Sequence, residues 1–106
     1  STGDRMRVKT LLILFFALSG VNVAVAAVDC SRAKSNVDKL ICASSSLGLA
    51  ENQMAFSYRE AMRRGVDPYE LRRTQEQWRQ EVRDACNDVP CLLKAFDERS
   101  AELDNY

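Results

Sequence analysis

The sequence predicts an all-α fold, a small disulfide-stapled bundle of one short helix and three longer helices. Apolar residues recur at three- and four-residue intervals along several segments, as on the buried face of a helix. No segment shows the sustained alternation of apolar and polar residues that marks a strand. Four cysteines in a short chain with an export signal indicate two disulfides, which compensate for a small core.

The N-terminal part of the sequence is predicted to lie outside the folded domain. Residues 1–5 look like an expression remnant ahead of Met6, the natural start. Residues 6–27 have the form of a cleavable signal peptide, which leaves a helical domain over residues 28–106. We therefore expect a periplasmic or secreted protein.

The signal-peptide prediction rests on three successive features. Arg7 and Lys9 supply the positive charge that precedes the apolar part of such a leader. Residues 11–18 are an unbroken apolar run. The small residues that follow suit a signal peptidase, with cleavage after Ala26 or Ala27.

Two other interpretations of this segment, a membrane span and a lipoprotein signal, are less favoured. Nineteen uncharged residues separate Lys9 from Asp29, which is barely enough to span a membrane, and Gly20 and Asn22 favour cleavage instead. A lipoprotein signal needs a small residue directly before its cysteine, and Asp29 precedes Cys30. We expect no stable membrane anchor after the signal is cleaved.

Charge and composition exclude several function classes. Without residues 1–27 the chain keeps 12 basic and 14 acidic residues, a net charge of −2 that gives no electrostatic footprint for nucleic acid. There is no histidine, so histidine-dependent catalytic triads and zinc sites are excluded. The cysteine spacing does not match zinc knuckles either, and we expect no metal and no cofactor.

The first two helices have clear sequence signals. Ser35 and Asp38 form a capping box ahead of the short helix, and Ser44-Ser45-Ser46 supplies a cap for the next one, over about residues 47–64. Gly65 ends that helix at a position where a left-handed residue is common.

The third helix is the one around which we expect the domain to be organised. Asp67 caps it and Pro68 takes its first position, and we expect it to run to about residue 86. Asp88 caps the last helix, over about residues 90–103. The apolar stripes of the helices predict a core that includes Leu40, Met54, Tyr58, Leu71, Trp78, Val82 and Phe96.

The four cysteines allow three pairings, and the sequential one is favoured. Cys86 and Cys91 flank a short turn between helices, where a bond would fix the angle between them. Cys30 with Cys42 is then the remaining pair. It would fasten the N-terminal segment onto the short helix.

A few residues could bind a partner. Tyr69 lies in the first turn of the third helix, between the acids Asp67 and Glu70, and could anchor an interface, although packing of its ring is favoured. Arg83 and Asp84 could also bind a ligand, but hydrogen bonds that fix the helix end are the better interpretation.

The order of motifs in the mature chain resembles a known family. VDKLIC covers residues 37–42, and WxxxxRDxC covers 78–86, followed by a cysteine five places on. Together with Asp29-Cys30-Ser31 and with Leu47, Met54 and Tyr58, they resemble the lysozyme-inhibitor family of LprI-like N-terminal domains, over nearly all of the mature chain.

The resemblance implies an exported, cysteine-bridged, all-helical domain whose activity is linked to inhibition of lysozyme. Two features depart from the family pattern. The chain lacks the lipoprotein signal, and Ser44-Ser45-Ser46 stands where the family has acids. The matching residues are mostly core residues and cysteines.

The leading hypothesis is therefore a non-enzymatic inhibitor that occupies the cleft of a lysozyme-type muramidase, with Asp67, Tyr69 and Glu70 as candidate contacts. The mildly negative mature charge suits a cationic target. The alternative is an envelope protein-interaction module with another, unknown partner. A hydrolase is disfavoured because the carboxylates are spread along a helix rather than paired.

Overall fold

In a computed structural model, residues 28–106 are described, and every regular element among them is helical. The four α-helices are α1 Asn36–Ala43, α2 Ser45–Arg63, α3 Pro68–Trp78 and α4 Val89–Asp104. A short 3-10 turn, Cys30–Arg32, precedes α1, and a π-helical turn, Arg79–Arg83, continues from α3. This order confirms the predicted bundle of one short and three longer helices. The predicted remnant and signal peptide fall outside the described residues.

Each α-helix begins at the side chain that the sequence predicts as its cap. The Ser35 hydroxyl accepts from the Asp38 amide at 3.0 Å, and the Ser44 hydroxyl accepts from the Leu47 amide at 3.3 Å. Asp67 accepts from two amides of the first turn of α3, and Asp88 accepts at 2.9 Å from the first turn of α4. Each cap satisfies amides that have no partner within the helix, which fixes where the chain changes direction.

The chain leaves α2 through a glycine in a left-handed conformation. Gly65 has a φ of 94°, and its amide donates to the Met62 carbonyl at 3.0 Å. The Val66 amide donates to the Ala61 carbonyl at 3.2 Å, which completes the Schellman pattern of hydrogen bonds. Half-buried Val66 packs against the core, so this turn is held by both hydrogen bonds and apolar contact.

The core lies between all four helices, and its largest interhelical contact joins α2 to α4. The rings of Trp78 and Phe96 meet at its centre with their centroids 5.6 Å apart. The predicted core residues Met54, Tyr58, Leu71, Trp78 and Phe96 are buried, and Leu40 is half-buried against them.

The prediction that Val82 belongs to the core is wrong. Its side chain is 42% exposed, and the helix that was expected to reach residue 86 gives way to the π-helical turn after Trp78. The Asp84 amide donates to the Arg79 carbonyl, five residues back, at 2.9 Å. A π-helical turn holds one residue more than an α-helical turn, so the residues after it are rotated around the axis. Arg83 and Cys86 consequently face inward, and Val82 does not.

The two disulfides are Cys30–Cys42 and Cys86–Cys91, which confirms the sequential pairing. The first bond ties the 3-10 turn to the end of α1. The second bond closes the turn between the π-helical turn and α4. Each bond restricts the unfolded chain and contributes about 2–4 kcal/mol to the free energy of unfolding.

Arg99 is buried between α3 and α4, on the inner face of α4. Its side chain is 2% exposed. Its guanidinium donates to Gln75 Oε1 at 2.8 Å, to Thr74 Oγ1 at 3.1 Å and to Glu102 Oε2 at 3.2 Å. These hydrogen bonds tie the two helices together near the end of the chain.

Candidate functional site

Two surfaces of the described domain could bind a partner, and the first is a cavity of about 620 Å³. It opens where the N-terminal segment and α1 meet α2, α3 and the π-helical turn. Its inner wall is apolar, and its mouth carries charges of both signs. The wall is formed by Met54, Ala55, Tyr58, Trp78 and Phe96, and the charges near the mouth include Asp38, Arg72, Arg79 and Arg83.

Glu51 is the one carboxyl group of this cavity that lies deep in the described domain, with 7% of its surface exposed. Its Oε1 accepts a hydrogen bond from the backbone amide of Val28 at 3.3 Å. Burial raises the pKa of Glu51, while the Val28 hydrogen bond and the positive charge of Arg83 lower it and the charge of Asp38 raises it. The site therefore holds a carboxyl group whose ionised form is poorly solvated.

Tyr58 lies on the same wall, about two helical turns from Glu51. Burial raises the pKa of its phenol, against the lowering effect of the positive charges of Arg72 and Arg99. The ring therefore stays neutral at physiological pH and contributes apolar surface and a hydroxyl group to the cavity.

The mouth of the cavity is organised by the π-helical turn. Its last residue, Arg83, donates to Asp38 of α1 at 3.4 Å and to the neighbouring Asp84 at 2.9 Å. Arg79 pairs with Glu76 and reaches Asp84 at 3.1 Å. The prediction that Arg83 and Asp84 fix the helix end through hydrogen bonds is confirmed. The same contacts attach this end to α1.

The second surface is the corner where the chain enters α3. We name it the tip and define it by the predicted contact residues Asp67, Tyr69 and Glu70. The ring of Tyr69 is 66% exposed, so the packing that was favoured for it does not occur. The Asp67 carboxylate is held as the helix cap by the Tyr69 and Glu70 amides, each at 3.4 Å. Glu70 pairs with Arg73 at 2.9 Å, which lowers the pKa of its carboxyl group.

A shallow hollow of about 460 Å³ begins at Tyr69 and runs along the exposed side of α3 and the π-helical turn. Its lining is polar and contains both charges, with Arg72, Arg73, Glu76, Gln77, Gln80 and Glu81 beside the tyrosine. The tip thus joins one exposed aromatic ring to a surface rich in hydrogen-bonding groups. A protein surface is a better match for it than a small apolar ligand.

Neither surface has the ligands that a metal ion needs. Among residues 28–106 no group of three or more histidine, cysteine, aspartate or glutamate side chains is placed to hold a metal, and all four cysteines are in disulfides. None of the helices in that range is long and apolar enough to cross a membrane.

Sequence reasoning did not identify Glu51 as a candidate site residue. Its spacing held a usable signal, because Leu47, Glu51, Met54 and Tyr58 follow one another at intervals of four, three and four residues. A charged residue within an apolar stripe marks a position where burial needs a specific partner.

Comparison of the chain with protein-family models, with curated proteins and with solved structures finds no match.

Proposed function

We propose that this chain is an exported, non-enzymatic binding protein that inhibits a lysozyme-type muramidase by occupying its cleft. The observation that carries the proposal is the tip, where Tyr69 stands 66% exposed beside an acid that the fold holds in place. The resemblance to LprI-like domains supports the target class. The two disulfides support an oxidising, extracytoplasmic location.

The tip has the physical properties of an interface anchor. A tyrosine ring offers a large contact area with few rotatable bonds, so little conformational entropy is lost on binding. Asp67 is fixed by two amides and supplies a negative charge next to the ring. A muramidase with a positive surface would be attracted by this charge and by the net charge of −2 expected for the mature chain.

The first test is a lysozyme assay in which the oxidised, exported protein is titrated to excess beside a reduced sample. We expect saturable inhibition by the oxidised protein, and loss of inhibition after reduction because the two bonds hold the bundle together. Several lysozyme types should be tried, since cleft shapes differ. Absence of inhibition with all of them would refute the proposal.

The second test assigns the contact to the tip. Tyr69→Ala should weaken inhibition by about tenfold or more, as for other aromatic anchors. Asp67→Asn should weaken it less, and the amide oxygen of asparagine preserves the helix cap, so stability is retained. The matched control is Glu98→Gln on α4, which removes one negative charge from an exposed site. Equal inhibition by all three variants would exclude the tip as the contact.

A second candidate function is an envelope protein-interaction module that uses the outer face of α2. Leu49 and Phe56 lie two helical turns apart on that face, with 72% and 50% of their surfaces exposed. This pair would suit a partner protein with an apolar surface. Cross-linking in envelope extracts should then enrich one protein with the wild-type chain and not with a Leu49→Gln, Phe56→Gln variant, while lysozyme stays uninhibited.

A further inference from the structure

The N-terminal segment meets the bundle at Glu51, at the residue that directly follows the predicted leader. The Val28 backbone nitrogen lies 3.3 Å from Glu51 Oε1, although 23 residues separate the two along the chain. In the intact chain this nitrogen is a neutral amide and donates one hydrogen bond. The acceptor is a carboxyl group that is 7% exposed.

We infer that the leader is removed by hydrolysis of the Ala27–Val28 peptide bond and that Glu51 receives the α-ammonium group that this cleavage creates. Water adds across the bond under the action of a signal peptidase. Ala27 leaves with a carboxylate, and the Val28 nitrogen becomes a positively charged ammonium group. The neutral hydrogen bond to Glu51 thereby becomes a buried ion pair.

The electrostatics of Glu51 support this role. A carboxylate removed from water is unfavourable unless a cation or several hydrogen bonds compensate for the lost solvation. Within residues 28–106, Arg83 is the cation that lowers the pKa of Glu51, but its guanidinium donates to Asp38 and Asp84 rather than to Glu51. An ammonium group at the Val28 nitrogen would supply both the missing charge and additional donors.

The geometry also distinguishes the two cleavage positions that the sequence leaves open. Cleavage after Ala26 would place the ammonium group on Ala27, one residue before Val28, and the Val28 nitrogen would remain an amide. Only cleavage after Ala27 puts the charge on the atom that already contacts Glu51. The mature N-terminus would then be attached at two points, by this ion pair and by the Cys30–Cys42 bond.

Other charged groups around the site set the background for a pH titration. Asp38 of α1 and Arg83 of the π-helical turn act directly on Glu51, in opposite directions. The remaining charged groups that line the same cavity are Asp29, Arg32, Arg72, Glu76 and Arg79. They come from the N-terminal segment, α3 and the π-helical turn, and they contain both signs.

The first experiment determines where the exported protein begins. The full chain is expressed with its own leader in a bacterial host, and the intact mass of the exported product is measured. We expect a chain that starts at Val28. A product that starts at Ala27, or at any other residue, overturns the inference.

The second experiment measures the pKa of the Val28 α-amine in that exported product, by NMR after reductive methylation with ¹³C. A free α-amine titrates at about 7.7–8.0, and a carboxylate partner raises this value. We expect an upward shift of about one pH unit or more in the wild type. The Glu51→Gln variant should titrate in the ordinary range, while Glu98→Gln should behave like the wild type.

These measurements separate an ion pair from a merely structural role for Glu51. A residue that only packs or accepts an amide hydrogen bond would leave the amine pKa unchanged. An ordinary amine pKa in the wild type overturns the inference, and this readout decides the matter even where Glu51→Gln fails to fold. None of these outcomes depends on lysozyme, so they test the ion pair independently of the proposed inhibition.

Discussion

Arg99 and Glu51 are the two charged side chains that the described domain buries, and the domain surrounds them differently. Arg99 is 2% exposed and donates to three side chains, one of them a carboxylate. Glu51 is 7% exposed and accepts one hydrogen bond from a backbone amide. One charge is compensated by the bundle itself, and the other is compensated only in part.

The difference indicates a structural role for Arg99, whereas Glu51 still lacks a charged hydrogen-bond partner. A buried charge with several well-placed partners holds two helices in register. A buried charge with a single neutral partner destabilises the fold unless a further group pairs with it. The two residues lie on different helices, Glu51 on α2 and Arg99 on α4, and they share no hydrogen-bond partner.

The largest effect is expected at Arg99. Arg99→Ala removes three hydrogen bonds and leaves a void between α3 and α4, so we expect the free energy of unfolding to fall by about 3 kcal/mol. Urea denaturation followed through the fluorescence of Trp78, the single tryptophan, measures this change. Arg99→Met is the matched control, because it keeps most of the volume and should lose about half as much. A change below about 1 kcal/mol for Arg99→Ala would mean that the hydrogen bonds do not stabilise the bundle.

A loss of stability of intermediate size is expected when Arg83 is replaced, and a smaller loss when its neighbour Val82 is replaced. In the structure Arg83 joins α1 to the helix end, whereas Val82 is 42% exposed. Arg83→Ala should therefore lower the free energy of unfolding by about 1–2 kcal/mol, and Val82→Ala by less than about 0.5 kcal/mol. The opposite order would indicate that α3 continues as a regular α-helix beyond Trp78.

Val82 also marks the limit of what the sequence could predict about the fold. Caps, apolar stripes and cysteine spacing are local patterns, and they predicted the helices, both disulfides and most of the core correctly. The π-helical turn shifts one hydrogen bond of the backbone, and neither proline nor glycine marks it in the sequence over 79–83. The apolar stripe of a regular helix therefore placed Val82 in the core.

The candidate sites were predictable to a smaller extent. The sequence selected Asp67, Tyr69 and Glu70 correctly as neighbours at a turn, but not the exposure of the tyrosine ring. It did not indicate that Val28 meets Glu51, because a contact between residues so far apart depends on how the N-terminal segment is tied back by Cys30–Cys42. Local patterns carry no information on such a contact.

A smaller effect is expected from pH in the unprocessed chain, where Val28 provides an amide. Burial raises the pKa of Glu51 above its ordinary value of 4.5, so its contribution to stability is fully present below that pH and is lost as pH rises through the folded-state pKa. Glu51→Gln removes this loss and keeps an acceptor for the Val28 amide. The free energy of unfolding of this variant, measured relative to wild type, should rise between about pH 4 and pH 7.

The processed chain should reverse this order at neutral pH. If the Val28 ammonium group pairs with Glu51, Glu51→Gln becomes the less stable protein. Because pairing raises the pKa of the amine, the advantage of the wild type is present near neutral pH, where Glu51 is ionised, and is lost as pH rises through the folded-state pKa of the amine. Identical pH profiles for the processed and unprocessed wild type would contradict the expected ion pair.

The smallest effect should come from Ser57, a buried side chain that is polar but uncharged. The side chain is 1% exposed, and its hydroxyl oxygen has no hydrogen-bond partner within the described residues. Ser57→Ala removes a buried polar atom and introduces a better helix former, so the free energy of unfolding should stay the same or rise by about 0.5 kcal/mol. Ser44→Ala is the contrasting control, since it deletes the α2 cap and should lower stability by about 1 kcal/mol. A comparable loss in Ser57→Ala would show that this hydroxyl group has a partner, and that the domain satisfies buried polar groups more completely than the surroundings of Glu51 suggest.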